Sequence, residues 1–228
     1  MNEENKKPNC IGFIMDGNRR WAKEKNLTSL EGHKEGEKVF KEVVNWVKDE
    51  SLSHAVFYAF STENWNRSQE EVSYLMELLT VGLNNYAKSA DKLKVRMRVI
   101  GDRSRLSKSL IKSIENLEEV TKKYKATNVW VALSYGGRLE IVEGVNKAIA
   151  KGEKVTEESF KNFIWSSEMP DPDIIVRTGG EQRLSNFMTW GSAYSELLFL
   201  EKYWPALIKS DLDGILSEYA RRTRRHGS

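Results

Sequence analysis

The residues best suited to chemistry lie in the stretch MDGNRRWA, residues 15–22, which follows the apolar run CIGFI. Gly17 and Asn18 suit a tight turn whose backbone N–H groups can face a phosphate, and the two arginines that follow offer guanidinium donors for phosphate oxygens. Asp16 would repel phosphate unless a cation bridged them, as Mg²⁺ does when it binds carboxylate and phosphate oxygens together. The stretch therefore predicts a phosphate site with Mg²⁺, whereas a strand-end turn cap or a surface salt bridge is the alternative for Asp16.

A second stretch, VRTGGEQRLSNF at residues 176–187, repeats this chemistry. Arg177 ends an apolar run, two glycines form a turn, and Arg183 and Ser185 follow. Two guanidinium groups and a hydroxyl around a diglycine predict a second anion site. The chain has neither the GxxxxGK[ST] pattern of nucleotide-hydrolysing P-loops nor a GxGxxG after its first predicted strand. Nucleotide hydrolysis and dinucleotide binding therefore lack their usual signals.

The elements that must position these stretches alternate along the chain. Strands are predicted at 9–15, 54–60, 95–100, 129–134, 173–177 and 196–200, and helices at 34–49, 69–93, 107–125, 138–150, 156–166 and 210–225. This alternation predicts an α/β fold, a single domain with a central, mainly parallel six-stranded sheet flanked by helices. Ligands of such sheets bind outside the carboxyl ends of the strands, where DGNRR, STENWNR, YGGR and RTGGEQR all fall. We therefore expect these four polar clusters to converge.

Apolar residues indicate what else the site holds. Helix 69–93 carries apolar side chains on more than one face, which indicates simple burial, a hydrophobic cavity or an interface. Trp21, Trp65 and Trp190 lie in polar sequence and either border a mixed apolar and charged pocket or pack in the core. Two anion sites beside an apolar cavity would suit amphiphilic diphosphates.

Composition limits the class of protein. The 228 residues carry a formal net charge of +3, which is too small to imply nucleic-acid binding by itself. Cys10 is the only cysteine, so an intrachain disulfide is excluded and a zinc cluster is not expected. The first residues lack the apolar segment of a secretory signal, and no apolar run is long enough to span a membrane. These features predict a cytoplasmic protein.

The motifs MDGNRRWA, GHKEG, YAFSTENWNRS, YGGR and VRTGGEQRLSNFMTWGSAYSELLF occur in this order over essentially the whole chain. Together they resemble the cis-prenyltransferases, in particular the bacterial undecaprenyl diphosphate synthases. The resemblance implies a homodimer with a hydrophobic tunnel under the site. It also implies Mg²⁺-dependent condensation of farnesyl diphosphate with successive isopentenyl diphosphates in cis. The product would be undecaprenyl diphosphate, the lipid carrier precursor for cell-wall glycan synthesis.

The resemblance also implies roles for individual residues. Asp16 would engage Mg²⁺ and the isopentenyl diphosphate, and Glu196 would be a second metal-binding carboxylate that reaches the neighbouring subunit. Asn64 matches the catalytic position of proton removal, but because an amide is a poor base, Asn64 is expected to position substrate. The other expected substrate contacts are Gly17, Asn18, Arg19, Arg20, His33 and Arg67 for the allylic diphosphate, Trp21 and Trp65 beside the apolar chain, Ser61, Thr62 and Glu63 in the mobile STENW segment, Arg177, Arg183, Ser185, Arg225 and Gly227 for isopentenyl diphosphate, and Leu184.

The two ends of the chain carry separate expectations. Residues 1–8 are expected to be flexible. The basic segment 221–228 includes RHG, which resembles the Arg-x-Gly ending of the family and would complete the diphosphate site of the partner subunit. Arg221 and Arg222 themselves are expected at a solvated helix end.

Two positions depart from the family pattern. Ser29 stands where the family commonly has an arginine for the allylic diphosphate. One contact, nominally worth ~1.5–3 kcal/mol, is therefore missing unless Lys25 or Lys34 replaces it. Gln182 stands where some members carry a histidine near the metal, which argues against metal binding by this residue.

Three functions can be weighed on these grounds. The first is the transferase, with transient contact to the inner face of the membrane when its lipid product leaves. The second is a catalytically silent scaffold subunit, but such subunits lose the aspartate and much of the first block, which this chain retains. The third, an RNA- or phosphoprotein-binding domain, uses the same basic patches and predicts salt-sensitive binding of polyanions, but leaves an apolar cavity unexplained.

Overall fold

The computed structural model describes residues 7–222 and contains one central sheet. Its strands are β1 (Cys10–Ile14), β2 (His54–Ser61), β3 (Arg96–Ile100), β4 (Asn128–Tyr135), β5 (Ile174–Arg177) and β6 (Glu196–Phe199). They lie in the order β3-β4-β2-β1-β5-β6, and every neighbouring pair is parallel. The predicted single-domain α/β fold with a six-stranded sheet is confirmed.

The helices of residues 7–222 are α1 (Asn18–Glu24), α2 (Ser29–Asp49), α3 (Gln69–Lys88), α4 (Ala90–Leu93), α5 (Lys108–Thr121), α6 (Gly137–Lys151), α7 (Glu157–Phe160) and α8 (Lys209–Arg221). Two starts differ from the prediction. The expected turn at Gly17 and Asn18 is the start of α1, and only Gly17 has the positive φ, 106°, of a turn. Helix α2 begins before residue 34 because Thr28 and Glu31 form a capping box.

Four predicted helices are interrupted or shorter, and one of them is helix 210–225, because α8 ends at Arg221 and Arg222 is extended. Helix 69–93 breaks at Ser89, whose hydroxyl donates to a carbonyl of the preceding turn at 2.9 Å and so competes with helical bonding. Helix 107–125 ends at Thr121, whose hydroxyl bonds the Leu117 carbonyl of its own helix at 2.7 Å and also accepts a bond from the Met97 N–H of β3 at 3.1 Å. In place of helix 156–166, α7 is one turn and continues as a short 3₁₀ turn. Hydrophobic spacing does not encode the side-chain hydrogen bonds of Ser89 and Thr121.

Alternate residues of the strands face two different layers. Ile11 and Phe13 of β1 pack in a core with apolar residues of α2, α3, α5 and α8, and Phe57 in this core is fully buried. Cys10 and Ile14 face the other layer. Full burial of a side chain such as Phe57 stabilises the fold by about 1.5–3 kcal/mol. The first layer thereby fixes α2 and α3 against the sheet.

Close packing of α1 on α2 holds the first polar cluster in place. A Cβ atom at Gly36 would lie 2.1 Å from Asn18 Oδ1, and one at Gly32 would lie 2.3 Å from the Asn18 carbonyl oxygen. The same region of α2 is tied to the segment between β6 and α8, because Trp204 Nε1 donates to the Gly36 carbonyl at 2.9 Å. The glycines of GHKEG therefore allow α1 to approach α2 closely.

The winding of the sheet reverses between β1 and β5. From β1 the chain continues to β2 on one side, whereas β5 continues to β6 on the other side. Ligands of open parallel sheets bind at such a switch point, outside the carboxyl ends of the strands. Asp16 and Arg177 both lie there.

The ends of the described chain are partly anchored. Flexibility of residues 1–8 stays a prediction; of these, residues 7 and 8 are described, where Lys7 Nζ donates to Glu50 Oε2 at 2.8 Å and Pro8 is buried. Residues 1–6 and 223–228 lie outside the described residues. Within 7–222, no helix combines the length and the apolar character that crossing a membrane requires.

Candidate active site

A cavity of about 840 Å³ opens where β1, β2 and β5 end. The structure brings thirteen of the predicted site residues together on its wall: Asp16, Gly17, Asn18, Arg19, Arg20, His33, Ser61, Glu63, Asn64, Arg67, Arg177, Arg183 and Ser185. They come from three of the four polar clusters and from GHKEG. These clusters therefore converge, as the strand order predicts.

An ion pair between Asp16 and Arg177 forms the centre of the polar wall. The Arg177 side chain is only 4% exposed, and its Nη2 and Nε donate to Asp16 Oδ2 at 2.6 and 3.2 Å. Its Nη1 donates to Ser185 Oγ at 2.8 Å and to the Arg183 carbonyl. The Asp16 side chain is 40% exposed, so the carboxylate is accessible from the cavity. Charge-assisted bonds of this kind fix both groups side by side.

Unusual backbone conformations bring the two anion-site loops close together. Thr178 Oγ1 donates to the Asp16 carbonyl at 2.8 Å, which ties one loop to the other. Gly179 has φ 88°, and a Cβ there would lie 2.8 Å from Arg20 Nη2. Ser185 has φ 48°, a left-handed conformation that costs roughly 1–2 kcal/mol for a residue with a side chain. The bond from Arg177 to its hydroxyl helps to offset this strain.

Arg20 lies at the mouth between these loops. Its Nη1 is 3.6 Å from Glu181 Oε1, and its guanidinium carbon is 5.3 Å from the centre of the Tyr203 ring. Arg183 also pairs with Glu181, and this hydrogen bond lowers the pKa of the Glu181 carboxyl. Both arginines are more than 40% exposed, so their guanidinium groups remain accessible to an incoming anion.

On the other side of the mouth, three basic side chains surround Glu71 at the start of α3. Glu71 Oε1 lies 2.9 Å from Arg67 Nη1 and 3.5 Å from His33 Nε2, and Glu71 Oε2 lies 3.9 Å from Arg19 Nη1. We call these four residues the Glu71 cluster. Burial and then the charge of Arg67 lower the pKa of His33, although Glu71 acts in the opposite direction.

Two buried polar atoms on the cavity wall lack a good hydrogen bond. Oδ1 of Asn18 has no hydrogen-bond partner among the described residues, and Nε2 of His33 has only the Glu71 carboxylate, 3.5 Å away. Buried polar atoms are normally bonded, so such atoms on a cavity wall indicate places for ligand or water atoms. Glu71 was not a predicted site residue, although its position four residues after Arg67 is an ion-pair spacing on a helix.

The segment after β2 is a 3₁₀ turn, Thr62–Asn66. Asn64 Oδ1 accepts a hydrogen bond from the Ser61 backbone N–H at 3.1 Å, so this amide oxygen caps the turn. Glu63 Oε1 accepts one from Asn186 Nδ2 at 2.8 Å. Burial alone would raise the pKa of Glu63, but hydrogen bonds, first that from Asn186, hold it below its usual value. The turn therefore presents a carboxylate and an oriented amide to the cavity.

The fourth cluster, YGGR, borders a neighbouring cavity of about 330 Å³ instead of the larger one. The backbone N–H groups of Gly137 and Arg138 donate to the Asn186 carbonyl at 2.7 Å and to Asn186 Oδ1 at 2.8 Å. Leu184, a predicted substrate contact, lines this smaller cavity together with Glu63 and Arg138. YGGR is therefore linked to the larger cavity through Asn186, which lines both.

Away from its polar mouth, the wall of the larger cavity is mostly apolar. Helix α3 contributes Leu75, Leu78, Leu79, Gly82, Leu83 and Tyr86, and the other elements contribute Phe40, Ala59, Met97 and Val131. Val81, on another side of α3, is 51% exposed. Of the three interpretations of helix 69–93, a hydrophobic cavity is the one supported by the structure.

Three predicted contacts lie on neither cavity wall: Trp21, Thr62 and Trp65. Trp65 Nε1 donates to Ser134 Oγ at 2.9 Å. Trp190 packs against Phe160 with 4.7 Å between ring centres. Trp65 and Trp190 therefore make packing or hydrogen-bonding contacts within the protein, and substrate contact by Trp21 and Trp65 stays a prediction.

Within one chain, Asp16 and Glu196 lie at opposite ends of the strands. Asp16 follows the carboxyl end of β1, and Glu196 is at the amino end of β6. It starts β6 and is in register with Ile174, three residues before Arg177, which is about 10 Å along a strand. Its Oε2 accepts a bond from Arg222 Nη1 at 2.9 Å, so Arg222 is not the freely solvated helix end that was predicted. Arg225 and Gly227 lie outside the described residues.

The positions that depart from the family pattern are all exposed. Ser29 starts α2, and neither it nor the two candidate replacements, Lys25 and Lys34, lies on the wall of the larger cavity. Gln182 is also absent from the wall. The structure therefore offers neither lysine as a substitute for the missing arginine, whereas Arg67 and Arg19 are already present on that side.

The chemistry of the donor set determines whether a metal fits. Among residues 7–222, no group of three or more His, Cys, Asp or Glu side chains could hold a metal ion alone. Both hydrogen bonds from Arg177 go to Asp16 Oδ2, and the Asp16 side chain is accessible from the cavity. Mg²⁺ usually takes one or two carboxylates, substrate phosphate oxygens and water. Asp16 therefore fits Mg²⁺ that arrives with a diphosphate.

Comparison with known proteins gives a consistent result over nearly the full chain. The family described as "Putative undecaprenyl diphosphate synthase" matches residues 14–227. The isoprenyl transferase of Thermotoga maritima is 39% identical over 225 residues, which are 96% of this chain and 97% of the relative. The isoprenyl transferase of Fusobacterium nucleatum is 42% identical over 221 residues, which are 96% of each.

Solved structures share the fold at similar identity. Lavandulyl diphosphate synthase from Lavandula x intermedia, in complex with dimethylallyl diphosphate, has a TM-score of 0.92 and 31% identity, and the match covers 97% of this chain and 99% of that one. A probable undecaprenyl diphosphate synthase from Campylobacter jejuni has a TM-score of 0.84 and 32% identity over 100% of both chains.

Proposed function

This chain belongs to the undecaprenyl diphosphate synthase family of cis-prenyltransferases, and from this premise we propose that it condenses farnesyl diphosphate with successive isopentenyl diphosphates to undecaprenyl diphosphate. The observation that carries the proposal is one cavity with two basic clusters at its mouth and an apolar interior. A diphosphate needs the first feature, and a growing hydrocarbon chain needs the second.

The two basic clusters have the right chemistry for two diphosphates. Arg177, Arg183 and Ser185 would bind isopentenyl diphosphate, because two guanidinium groups and a hydroxyl converge there. On the allylic side, residues 17–20 with His33 and Arg67 would bind farnesyl diphosphate. Holding both reactants in one cavity makes the reaction effectively intramolecular, which lowers the entropic part of the barrier.

The fit of Asp16 supports Mg²⁺ as the metal. When bound, Mg²⁺ would neutralise charge on a diphosphate and act as a Lewis acid. Arg177 holds the Asp16 carboxylate in place through Oδ2, and the guanidinium groups of the mouth stabilise negative charge on the departing diphosphate. The side chains of the protein therefore hold the Asp16 carboxylate and the diphosphate in position before the reaction begins.

The reaction can be written with its electrons balanced. The allylic C–O bond breaks and its electron pair leaves with the diphosphate. The double bond of isopentenyl diphosphate then attacks the allylic carbon and a new C–C bond forms. The added unit loses a proton to water or to the released diphosphate, and the electron pair of the broken C–H bond forms the new double bond. Because Asn64 Oδ1 already accepts the Ser61 N–H, Asn64 acts as a positioning residue. The small Ala59 on the cavity wall leaves room for the chain to pass inward.

Completion of the site by a second copy is part of the proposal. Within its own chain, Glu196 lies at the amino ends of the strands, opposite the cavity, so it could serve as a metal ligand only in the site of a partner subunit. The basic segment 221–228 would contribute to the same partner site. The enzyme would then act as a cytoplasmic homodimer at the inner face of the membrane, with transient contact when its lipid product leaves.

The test is an incubation of the full chain with farnesyl diphosphate, labelled isopentenyl diphosphate and Mg²⁺, followed by sizing of the products. We expect elongation that stops with a chelator, and a product of undecaprenyl length. A single condensation would contradict chain elongation, and no condensation would favour the silent scaffold. Salt-sensitive binding of RNA without any condensation would favour the polyanion-binding alternative.

A further inference from the structure

One acidic side chain lies in the otherwise apolar part of the cavity wall. Glu37 of α2 lines the cavity one helical turn beyond His33, in the direction of Phe40. Tyr86 of α3 is 5% exposed, and its hydroxyl donates to Glu37 Oε1 at 3.2 Å. The bond therefore joins α2 to α3 across the apolar interior.

Gly82 leaves this pair uncovered. A Cβ atom at Gly82 would lie 3.8 Å from Glu37 Oε1 and 3.9 Å from Tyr86 Cε2, in ordinary van der Waals contact with both. Any larger residue at this position of α3 would therefore cover part of the pair. With glycine there, the carboxylate and the phenol remain part of the cavity surface.

A hydrocarbon chain that grows into the cavity meets two kinds of wall. Contact with leucine and methionine side chains is favourable because it removes apolar surface from water. Contact with a carboxylate is unfavourable, because the chain displaces water from oxygens that accept about four hydrogen bonds in total. Tyr86 supplies one of these bonds to Glu37. The remaining acceptor sites lose hydration when hydrocarbon covers them.

We propose that the Glu37–Tyr86 pair sets the length at which elongation stops, because further advance of the chain between α2 and α3 would dehydrate the Glu37 carboxylate. This inference rests on the proposed function and deepens it by naming a specificity-determining residue. The stop is electrostatic, so it depends on the charge of residue 37 and not only on its size.

The experiment compares product lengths of the wild type, Glu37→Leu and Glu37→Gln with farnesyl diphosphate, labelled isopentenyl diphosphate and Mg²⁺ at matched total incorporation. Both variants should give products longer than wild type by one or more isoprene units, with the larger shift for Leu. Glu35→Gln is the matched control: Glu35 lies on the same helix, pairs with Lys38 at the surface and is not on the cavity wall. It should give wild-type lengths.

The outcomes separate the inference from the proposed function. No elongation by the wild type would refute the proposed function itself. Elongation with unchanged lengths in both Glu37 variants would overturn the inference. Longer products from Leu alone would assign the stop to side-chain size and would equally overturn it. If Glu37→Leu does not fold, Glu37→Gln decides, because it is nearly isosteric and keeps an acceptor for Tyr86.

Discussion

The two basic clusters at the mouth of the cavity are built from different kinds of structure. The Asp16–Arg177 pair stands at the ends of two adjacent parallel strands, where Ile14 is in register with Arg177. The Glu71 cluster collects side chains from α1, α2, α3 and the turn before α3. The Arg177 side chain is 4% exposed, whereas those of Arg67 and Arg19 are 26% and 60% exposed.

This difference shows that the two anion sites are preorganised to different degrees. The strand ladder fixes Asp16 and Arg177 before any ligand arrives, so little reorganisation is needed there. In the Glu71 cluster, a carboxylate of the chain itself occupies the position among three basic groups that an anion would take. A diphosphate on that side must therefore compete with Glu71. We expect the Asp16–Arg177 pair to keep its geometry when a diphosphate binds, and the side chains of the Glu71 cluster to rearrange.

The largest effect is expected from Arg177→Ala. The substitution removes charge-assisted bonds to Asp16 and Ser185 and leaves a cavity in a buried position, which should lower the free energy of unfolding by about 2–4 kcal/mol. Denaturant unfolding of the variant and the wild type measures this difference. A loss below about 1 kcal/mol would show that the strand-built cluster is not the rigid one.

Gly36→Ala should have the next largest effect, because it disturbs the packing that positions α1. The new methyl group would lie 2.1 Å from Asn18 Oδ1, and relieving this clash should cost about 1–3 kcal/mol. Gly214→Ala in α8 is the matched control. A Cβ at Gly214 would meet no neighbouring atom within 4 Å, so alanine should stabilise the helix by about 0.5–1 kcal/mol. Equal effects in thermal unfolding would contradict the packing argument.

Glu71→Gln tests the adjustable side directly. Loss of the carboxylate should free Arg67 and Arg19 for an incoming anion, and inorganic diphosphate should bind about fivefold more tightly, equivalent to ~1 kcal/mol. Calorimetric titration measures the change. Glu70→Gln, on the exposed neighbour that takes no part in these ion pairs with Arg67 and Arg19, should leave the affinity unchanged. Weaker or equal binding by Glu71→Gln would mean that Glu71 does not compete with the ligand.

His33 makes the Glu71 cluster sensitive to pH. Burial and the charge of Arg67 lower the folded-state pKa of His33 below the ordinary 6.5. As the pH falls below 6.5, the unfolded chain binds a proton at His33 before the folded chain does. The contribution of His33 to the free energy of unfolding is therefore fully present above pH 6.5 and decreases on acidification. His33→Gln should flatten that decrease in the unfolding free energy. An unchanged pH slope would contradict this assignment.

The strand-built cluster is also the one that sequence predicts better. Apolar runs followed by glycine and arginine identify strand ends, and a parallel sheet brings those ends to one edge, so Asp16 and Arg177 could be expected to meet. The predicted bounds of the strands agree with the structure because the apolar runs mark where the strands begin and end. Helix starts such as that of α2 depend on a capping box in polar sequence, 28–31, which the apolar period does not reach.

Residues of the helix-built surface escaped prediction for a physical reason. Glu71 and Glu37 are acidic residues on amphipathic helices, and such a residue normally faces solvent. Their roles depend on how α2 and α3 pack against each other, which sequence spacing does not determine. For the tryptophans, sequence does not determine the direction of the indole, because its packing partners set it. The expectation that Glu196 serves the neighbouring subunit came from the family resemblance, and the strand order adds that Glu196 starts the edge strand β6.

The central claim is that Asp16 and Arg177 form the catalytic centre of a condensing enzyme. Its most direct test is the condensation rate of Asp16→Ala with farnesyl diphosphate, isopentenyl diphosphate and Mg²⁺, with circular dichroism as the check on folding. Arg177 keeps the Ser185 hydroxyl as an acceptor in this variant, so the fold should persist. The account predicts that the folded variant has lost condensation. Near-normal turnover by folded Asp16→Ala would contradict it.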